Sequence, residues 1–445
     1  MDFSKEMTKK LPRASGKTSE PAGSPAFNQA FDQAVSAEAL ASYRLNMLNA
    51  QLRYARQNSR FYNRVLQDCR LPLASVGDLS SVPFTTPDDV QIHGKEMVCV
   101  GADQIERIVT IPSTGSSGSP KRLFFSQGDL SRTADFFHIG MKYMCGAGDE
   151  VFIFMPAASE NSIGLLLARG LEKLGAQPRV FGVIGDNPAD YKEAAEALMR
   201  ADPHTLVGIP SQMRRLALAA PDIRPENALL SADYIPWAAK EAISRIWGCE
   251  VFEHYGLTES GYGCAVECKA HEGQHIRHDE LLLEIIEPRG VNPVPDGQWG
   301  EIVLTTLRRE AMPLIRYRTG DISRLICPVC ACGSELPRLD RVRGRISEIT
   351  REVNIYEMDE LLLSCDGIYD YRASFSDGAL TIAVEAASPE GLVFCGESLA
   401  KKWPDLKCNV IPANAPPTER PPAGALAAGR LQTGRNAKRG ITRSG

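Results

Sequence analysis

Strand-like and helix-like segments alternate through the central part of this 445-residue chain. Short apolar and β-branched runs are separated by amphipathic stretches long enough to form helices. The pattern predicts helices at 129–143, 162–174 and 188–199 and strands at 150–155, 179–184 and 205–208. Since strands that alternate with helices pair in parallel, we expect a doubly wound α/β fold with a largely parallel sheet. Ligands of such sheets bind beyond the carboxyl ends of the strands.

A serine- and glycine-rich run lies between two further predicted strands, at 108–111 and 123–125. Its candidate anion-binding residues are Ser113, Thr114, Gly115, Ser116, Ser117, Gly118 and Lys121. Glycines let the backbone approach an anion closely, and successive N–H groups with a lysine form a phosphate site. Such runs are also typical of flexible loops. The flanking strands favour the phosphate-binding alternative.

Composition argues against several classes of function. The net charge is −5 and 24% of residues are charged, so no basic field would attract nucleic acid or an anionic membrane surface. The sequence has no apolar run near the roughly 20 residues of a membrane span, and 1–16 lacks the apolar core of a secretory signal. Twelve cysteines then favour free thiols or metal ligands over disulfides. We predict a cytoplasmic protein that binds neither nucleic acid nor membrane.

Four short motifs follow one another between residues 113 and 345. They are the run at 113–121, Y-G-L-T-E at 255–259, R-Y-R-T-G-D at 316–321 and G-R at 344–345. Their residue types, order and spacing resemble the motifs of the adenylate-forming superfamily, which includes acyl-CoA ligases and adenylation domains. The segments 313–321 and 330–333 are most similar to the phenylacetate–coenzyme A ligase branch.

The resemblance implies roles for individual residues. Lys121 and its loop would hold the β- and γ-phosphates of ATP, and Tyr255, followed by Gly256 and Thr258, would lie beside adenine. Glu259 would hold Mg²⁺ against phosphate oxygens, in keeping with the preference of this ion for oxygen ligands. Asp321 would accept hydrogen bonds from the ribose hydroxyls.

Three further positions are assigned with alternatives. Arg345 is expected to contact the nucleotide near an interdomain hinge. Asp233 resembles an adenine-contacting turn, and it is equally suited to cap a helix that begins near Pro236. Arg316 and Arg318 have a structural alternative, in which they pair with Glu301 or Asp321.

Cysteine and histidine residues form a second set. Cys330 and Cys332 are closely spaced, and Cys268 and His275 lie in an earlier segment. Two neighbouring thiols combined with a distant Cys/His pair are typical of tetrahedral zinc. Some relatives in the phenylacetate–coenzyme A ligase branch have a comparable set, so we predict a structural zinc within a knuckle spanning 264–332. Cys264, His271 and Cys327 are alternative ligands, and reduced cysteines without metal are the alternative to zinc.

The chain divides into three parts. We predict a disordered leader at 1–26, an ATP- and acid-binding domain at 27–345 and, after a hinge, a small mobile α+β domain at 346–445. The small domain is expected to contain a helix at 357–363 and strands at 369–375 and 380–384. The resemblance implies a catalytic lysine near the C-terminus. Lys438 is the best candidate, and Lys401 and Lys402 are alternatives.

The function implied by the resemblance is an ATP-dependent carboxylate–CoA ligase that activates an organic acid through an acyl-adenylate. The branch favours aryl acids. The expected cofactors and partners are ATP, Mg²⁺, coenzyme A, structural Zn²⁺ and a small carboxylic acid, and a homodimer is left open. One alternative is an adenylating enzyme that loads a carrier protein instead of coenzyme A. Another is a non-catalytic nucleotide- or acyl-binding regulator.

Overall fold

The computed structural model describes residues 37–111, 120–185, 187–327, 329–346, 354–376 and 379–413. Within these ranges the α-helices are Ala37–Asn58 (α1), Arg60–Val65 (α2), Pro87–His93 (α3), Gln127–Met141 (α4), Ile163–Leu174 (α5), Pro188–Ala201 (α6), Pro210–Ala219 (α7), Trp237–Trp247 (α8), Ile355–Leu362 (α9) and Pro389–Lys402 (α10). Short 3₁₀ helices span Val76–Ser81, Gly94–Met97 and Ala102–Gln104. No described helix is long and apolar enough to cross a membrane.

The described strands are Arg107–Ile111 (β1), Lys121–Phe125 (β2), Glu150–Phe154 (β3), Gln177–Val180 (β4), Thr205–Gly208 (β5), Asn227–Leu230 (β6), Glu250–Tyr255 (β7), Ala265–Glu267 (β8), Gln274–Ile276 (β9), Leu281–Ile286 (β10), Gly300–Thr306 (β11), Tyr317–Ser323 (β12), Leu325–Ile326 (β13), Arg338–Leu339 (β14), Gly344–Arg345 (β15), Ile368–Ser376 (β16), Ala379–Ala386 (β17) and Lys407–Pro412 (β18). Nine of them form one mixed sheet in the order β13-β14-β9-β8-β7-β6-β5-β3-β4. The strands from β7 to β4 pair in parallel, and those from β7 to β13 pair antiparallel.

The parallel half of this sheet is covered on both faces. Alternate side chains of β3 enter two separate cores: Val151 and Ile153 contribute to one, and Phe152 and Phe154 to the other. A strand buried on both faces is the mark of a doubly wound sheet, because helices lie above and below it. The predicted α/β fold is therefore confirmed. The antiparallel half was not predicted, since β8, β9, β13 and β14 are too short to show a periodic pattern.

Local sequence signals set the ends of several elements. At the start of α4, the Ser126 hydroxyl accepts a hydrogen bond from the Asp129 amide at 3.1 Å, and the Asp129 carboxylate accepts one from the Ser126 amide. This reciprocal capping satisfies amides that a helix N-terminus leaves unpaired. The strand predicted at 179–184 is wrong in its bounds, because β4 ends at Val180 and Gly182 has a φ of 94°.

Smaller sheets complete the described fold. Strands β1 and β2 form a hairpin, and β10, β11, β12 and β15 form an antiparallel sheet. In the C-terminal part, β16, β17 and β18 form a sheet over which α9 and α10 pack, consistent with the predicted helix and strands. The boundary between domains at 345 and 346 stays a prediction, and the leader at 1–26 lies outside the described residues.

Buried polar contacts join the C-terminal part to the large sheet. Arg214 on α7 is 1% exposed and donates to the carbonyl oxygens of Ile368 at 2.6 Å and Cys365 at 2.7 Å. Next to it, the guanidinium of Arg215 binds both carboxylate oxygens of Glu385. These contacts fix β16 and β17 against α7 in the arrangement that the structure shows.

Candidate active site

The hairpin β1–β2 presents the ends of the predicted phosphate loop. Ile111 and Lys121 are paired across the two strands, so the segment between them starts and finishes at one place. The predicted ligands Ser113, Thr114, Gly115, Ser116, Ser117 and Gly118 lie outside the described residues. Lys121 itself is described, and its side chain is directed toward the end of β7.

Lys121, Glu259 and Tyr317 form a compact buried cluster. The Lys121 Nζ lies 2.6 Å from Glu259 Oε1 and 3.2 Å from the Tyr317 hydroxyl, which itself donates to Glu259 at 2.9 Å. Burial alone would raise the pKa of the Glu259 carboxyl, but the Lys121 ammonium and these hydrogen bonds outweigh it and lower the pKa. Glu259 is therefore an ionised carboxylate in a nearly closed site, as a cation ligand must be.

A second cluster surrounds Asp321, which is 5% exposed. The Tyr255 hydroxyl donates to its Oδ2 at 2.9 Å, and Arg345 Nε donates to its Oδ1 at 2.8 Å. Asp321 and Arg345 are register partners on β12 and β15, so the sheet holds the ion pair in place. The Tyr356 hydroxyl accepts the Arg345 amide, which ties the pair to α9. Motifs far apart in sequence thus meet at this carboxylate.

The Y-G-L-T-E motif forms a tight turn after β7. The Leu257 amide donates to Ser260 Oγ and the Gly261 amide to the Thr258 carbonyl, so the chain doubles back and directs Glu259 inward. Gly256 lies against the carbonyl oxygen of Tyr262, where any Cβ would clash. The motif requires glycine at this position because of that close backbone approach.

Asp233 does not cap α8. Its carboxylate accepts the amide of Tyr234, and α8 begins only at Trp237. The Trp237 and Ala238 amides at the helix start instead donate to Glu360 on α9, at 2.9 and 3.0 Å. The helix-cap alternative for Asp233 is therefore wrong, and its predicted contact with adenine stays a prediction. The role of Glu360 was missed because the contact crosses more than a hundred residues of sequence.

The two arginines of the R-Y-R-T-G-D motif are structural. Arg316 is 2% exposed and binds Glu284 at 2.9 and 3.0 Å, together with the carbonyl oxygens of Ser80 and Val82. Its predicted partners, Glu301 and Asp321, are wrong, since the pairing of β11 with β12 directs Glu301 to Arg318 instead. The predicted pair of Arg318 with Glu301 is confirmed.

Two phenylalanines pack against His254, the residue before Tyr255. The rings of Phe136 and Phe137 on α4 lie 5.8 and 6.0 Å from the ring of His254, between centroids. His254 Nδ1 is 2.6 Å from the Ser231 hydroxyl, and burial lowers the pKa of the imidazole to about 4. The ring is therefore neutral. Ser231 directly follows β6, and His254 is the last residue but one of β7. Both therefore lie at the carboxyl edge where ligands of parallel sheets bind.

Cys268, His275, Cys330 and Cys332 lie together, as the sequence predicted. Their ligand atoms are within 4.8 Å of one another, with 3.7 Å between the sulfurs of Cys268 and Cys330 and 3.5 Å from Cys332 Sγ to His275 Nε2. A tetrahedral zinc with bonds of about 2.3 Å to sulfur and about 2.0 Å to nitrogen would separate two sulfurs by about 3.8 Å and a sulfur and nitrogen by about 3.5 Å. The donor set fits such an ion.

The alternative ligands have other surroundings. His271 contacts Glu267 at 3.1 Å and Glu250 at 2.8 Å, which removes it from the cluster. Cys264 is fully buried, and burial raises the pKa of its thiol to about 12. Cys327 is exposed. None of the three belongs to the group of ligand atoms found among the described residues.

The candidates for the C-terminal lysine differ in position. Lys438 lies outside the described residues. Lys402 is at the end of α10 and pairs with Glu357 at 2.8 Å, on side chains about half exposed to solvent (45% and 47%). Lys401 is also exposed, next to it. The structure therefore holds Lys402 in a surface ion pair.

The site therefore lies at the edge of a largely parallel α/β sheet. It combines a lysine–glutamate pair with a buried aspartate that tyrosine and arginine hold. A family model described as AMP-binding enzyme matches residues 66–307, more than half of the chain. The chain belongs to this AMP-binding enzyme family. The predictions of the adenylate-forming superfamily and of an AMP-forming ligase are confirmed.

Curated relatives identify the branch. The chain is 28% identical over 343 residues to a phenylacetate–coenzyme A ligase of Thermus thermophilus, an alignment that covers 73% of this chain and 75% of the relative. It is 27% identical to the enzyme of the same name from Pseudomonas putida, with 72% and 74% covered. The predicted phenylacetate–coenzyme A ligase-like branch is confirmed.

Solved structures share the fold. A 2-hydroxyisobutyryl-CoA ligase in its postadenylation state superposes with a TM-score of 0.75 at 20% identity, over 95% of this chain and 97% of the other. At that identity the superposition shows only that the two proteins share a fold. The shared fold includes the C-terminal part.

Proposed function

We propose that this protein is an ATP-dependent carboxylate–CoA ligase for an aryl acid. The observation that carries the proposal is the meeting of the two clusters, Lys121–Glu259–Tyr317 and Tyr255–Asp321–Arg345, at the carboxyl end of β7. A carboxylate oxygen of the acid attacks the α-phosphorus of ATP. The bond from that phosphorus to the β-bridging oxygen breaks, and pyrophosphate leaves. The thiol of coenzyme A then attacks the acyl carbon, loses its proton and displaces AMP.

Positioning and electrostatics supply the catalysis, because the reaction needs no protein nucleophile. Lys121 stands at the exit of the serine- and glycine-rich loop, within reach of the phosphates that the loop would hold. In the structure its ammonium neutralises Glu259. Magnesium, when bound to Glu259, supplies charge neutralisation at the phosphate oxygens. Lys121 would hold the β- and γ-phosphates together with the loop.

Asp321 and Tyr255 form the nucleoside end of the proposed site. A carboxylate has about four lone-pair positions, so Asp321 can accept both ribose hydroxyls while it also pairs with Arg345. The Tyr255 hydroxyl fixes the ring beside Asp321, and the face of this ring is proposed to stack on the purine. Asp233, after β6, is proposed to contact the adenine edge. Arg345 couples the nucleoside to the C-terminal part through Tyr356.

The acid is proposed to bind against Phe136, Phe137 and His254. Aromatic faces favour an aryl group, and the neutral imidazole offers a polar contact without a charge. Coenzyme A is proposed as the acceptor because the curated relatives are named for it. Carrier-protein loading and a purely regulatory role have no observation in the described residues that favours them.

The zinc is proposed to be structural. Cys268, His275, Cys330 and Cys332 would hold it with all four positions filled by protein, which leaves none for a substrate. It would join the β8–β9 hairpin to the segment between β13 and β14. We further propose a domain boundary at 345 and 346, a cytoplasmic location, and Lys438 as the cation that stabilises charge between the acid and the α-phosphate.

ATP–pyrophosphate exchange with a panel of aryl and aliphatic acids tests the proposal. We expect exchange that depends on magnesium and on one class of aryl acid. Mass spectrometry of the products, with coenzyme A present, should show the acyl-CoA thioester and AMP. Exchange without any thioester would favour a carrier protein as acceptor. Absence of exchange with every acid, in protein that binds ATP, would favour the regulator.

A further inference from the structure

A cavity of about 250 Å³ lies apart from the active site, between α1, the 3₁₀ helix Val76–Ser81 and β10. Its walls are mostly apolar and include Ile276, Leu282 and Pro337. Two charged side chains also line it, Arg44 and Glu284. Glu284 already binds the guanidinium of Arg316 with both oxygens. The cavity is therefore apolar, with one positive group whose charge the described residues do not neutralise.

Arg44 has an unusual environment for a guanidinium. Its Nε is inaccessible to solvent and has no hydrogen-bond partner, and among the described residues its side chain forms no ion pair. Its Nη2 contacts Nδ1 of His278. Burial lowers the pKa of Arg44 to about 10, with no carboxylate opposing the effect. A buried charge is costly unless it is paired and hydrogen-bonded.

His278 does not supply the missing negative charge. Its Nε2 lies 2.8 Å from the Pro337 carbonyl oxygen, an atom that can only accept, so Nε2 carries the proton. Nδ1 is then the acceptor that faces Arg44, and the ring is neutral. The arrangement preorganises the guanidinium by a hydrogen bond and leaves its charge for another group.

We propose that this cavity is a second ligand site, which binds a small organic carboxylate through Arg44. The planar guanidinium matches a carboxylate in geometry as well as in charge. The apolar walls select an organic anion over an inorganic one, because they would desolvate the ligand's hydrocarbon part favourably. The volume suits a ligand the size of benzoate, somewhat below the range of about 300–1,000 Å³ of most small-molecule pockets.

Two residues that line the cavity connect it to other parts of the protein. Pro337 precedes Arg338 on β14, whose guanidinium binds the Glu272 carbonyl in the zinc knuckle. Glu284 holds Arg316, the first residue of the motif that carries Tyr317 and Asp321. A ligand that orders these two walls would stabilise both neighbours. The proposed binding does not rest on the proposed catalytic function, since neither Arg44 nor His278 contacts a catalytic cluster.

Fluorine NMR with 4-fluorobenzoate as the probe tests the proposal. The full chain and three variants are titrated at constant ionic strength: Arg44→Met, Val76→Phe and Arg53→Met. Arg44→Met removes the charge, and Val76→Phe fills the cavity from its partly exposed rim. Arg53→Met is the matched control, an exposed arginine on the same helix. Thermal unfolding of each variant verifies that it is folded.

We expect Arg44→Met and Val76→Phe each to weaken probe binding at least tenfold at this site, and Arg53→Met to leave it unchanged. Binding at the active site would survive both cavity substitutions. Probe that stays bound to Arg44→Met and Val76→Phe is therefore assigned to the catalytic pocket. The proposal is overturned if the wild type binds no probe beyond that amount. It is also overturned if Val76→Phe binds the probe as the wild type does while Arg44→Met does not. Displacement of the probe by chloride as effectively as by acetate overturns it too.

Discussion

The Nζ of Lys121 lies 2.6 Å from Oε1 of Glu259, and this pair joins the β1–β2 hairpin to the turn after β7. Both partners are shielded, with side chains 21% and 7% exposed. A shielded ion pair restrains Lys121, which follows the phosphate loop. It also keeps Glu259 ionised until a metal ion or a phosphate competes for one of the two groups. Two motifs of the sequence thereby form one functional unit.

Removing the lysine should make stability depend on pH. In Lys121→Met, burial is no longer opposed by the ammonium, so the pKa of Glu259 rises above its unfolded value near 4.5. A raised pKa gives stability that is present at low pH and lost as the pH rises through it. The variant should therefore lose little thermal stability near pH 5 and more near pH 8, where an unpaired buried charge costs about 3–5 kcal/mol.

Thermal unfolding midpoints at the two pH values measure this effect. Lys173→Met is the matched control, because Lys173 pairs with Asp135 on the exposed surface. It should change the midpoint little, and equally at both pH values. An equal loss at both pH values in Lys121→Met would contradict the electrostatic account of the pair.

The zinc prediction concerns the four-residue cluster. Cys330→Ser should lose about one equivalent of zinc and unfold at lower temperature, because the binding free energy of a structural metal is also folding free energy. Elemental analysis of the purified protein gives the zinc content. Cys327→Ser is the control, an exposed cysteine three positions away that should keep the metal. Wild-type protein purified without chelator and free of zinc would reject the site.

The contact of Glu360 with α8 should hold the C-terminal part in the observed arrangement. Its carboxylate accepts both N-terminal amides of α8 and also binds Arg341 at 2.7 Å. Glu360→Gln should cost about 1–2 kcal/mol, and the Trp237 and Ala238 amides should exchange hydrogen faster. Glu357→Gln on the same helix is the control, since Glu357 pairs with Lys402 at the surface. Unchanged protection of those amides in Glu360→Gln would rule out the capping role.

Lys438 is predicted to act in the first half-reaction. Its ammonium would stabilise charge that builds between the acid's oxygen and the α-phosphate, so Lys438→Ala should slow adenylate formation about 10²- to 10³-fold. Thioester formation from supplied acyl-adenylate should survive. Lys401→Ala and Lys402→Ala should have little effect, in keeping with the surface position of both. Loss of exchange in either of these, with full activity in Lys438→Ala, would assign the role to α10.

Features of the fold and the site could be predicted where a short stretch of sequence carries the pattern for them. The parallel sheet was predictable because each strand and helix has its own periodicity. The Cys268–Cys332 cluster was predictable because ligand chemistry restricts the choice of residues. The antiparallel strands β8, β9, β13 and β14 were not, since two or three residues carry no period.

Contacts between polar residues that are far apart in the chain also could not be predicted from the sequence. Arg316 was assigned to acidic residues of its own region, and its partner Glu284 emerges only when β10 and β12 lie in one sheet. Glu360 became visible as the cap of α8 only through the packing of α9 against it. Charge alone does not choose among 55 acidic residues. The tertiary fold makes that choice.

The most direct test of the central claim is the simultaneous measurement of AMP and acyl-CoA from ATP, aryl acid and coenzyme A. The account predicts one AMP and one thioester for each acid consumed. Glu259→Gln should depress both together while the circular dichroism spectrum stays that of the wild type, and Glu172→Gln, at an exposed position of α5, should depress neither. Thioester formed at the wild-type rate by Glu259→Gln, or ADP in place of AMP, would contradict it.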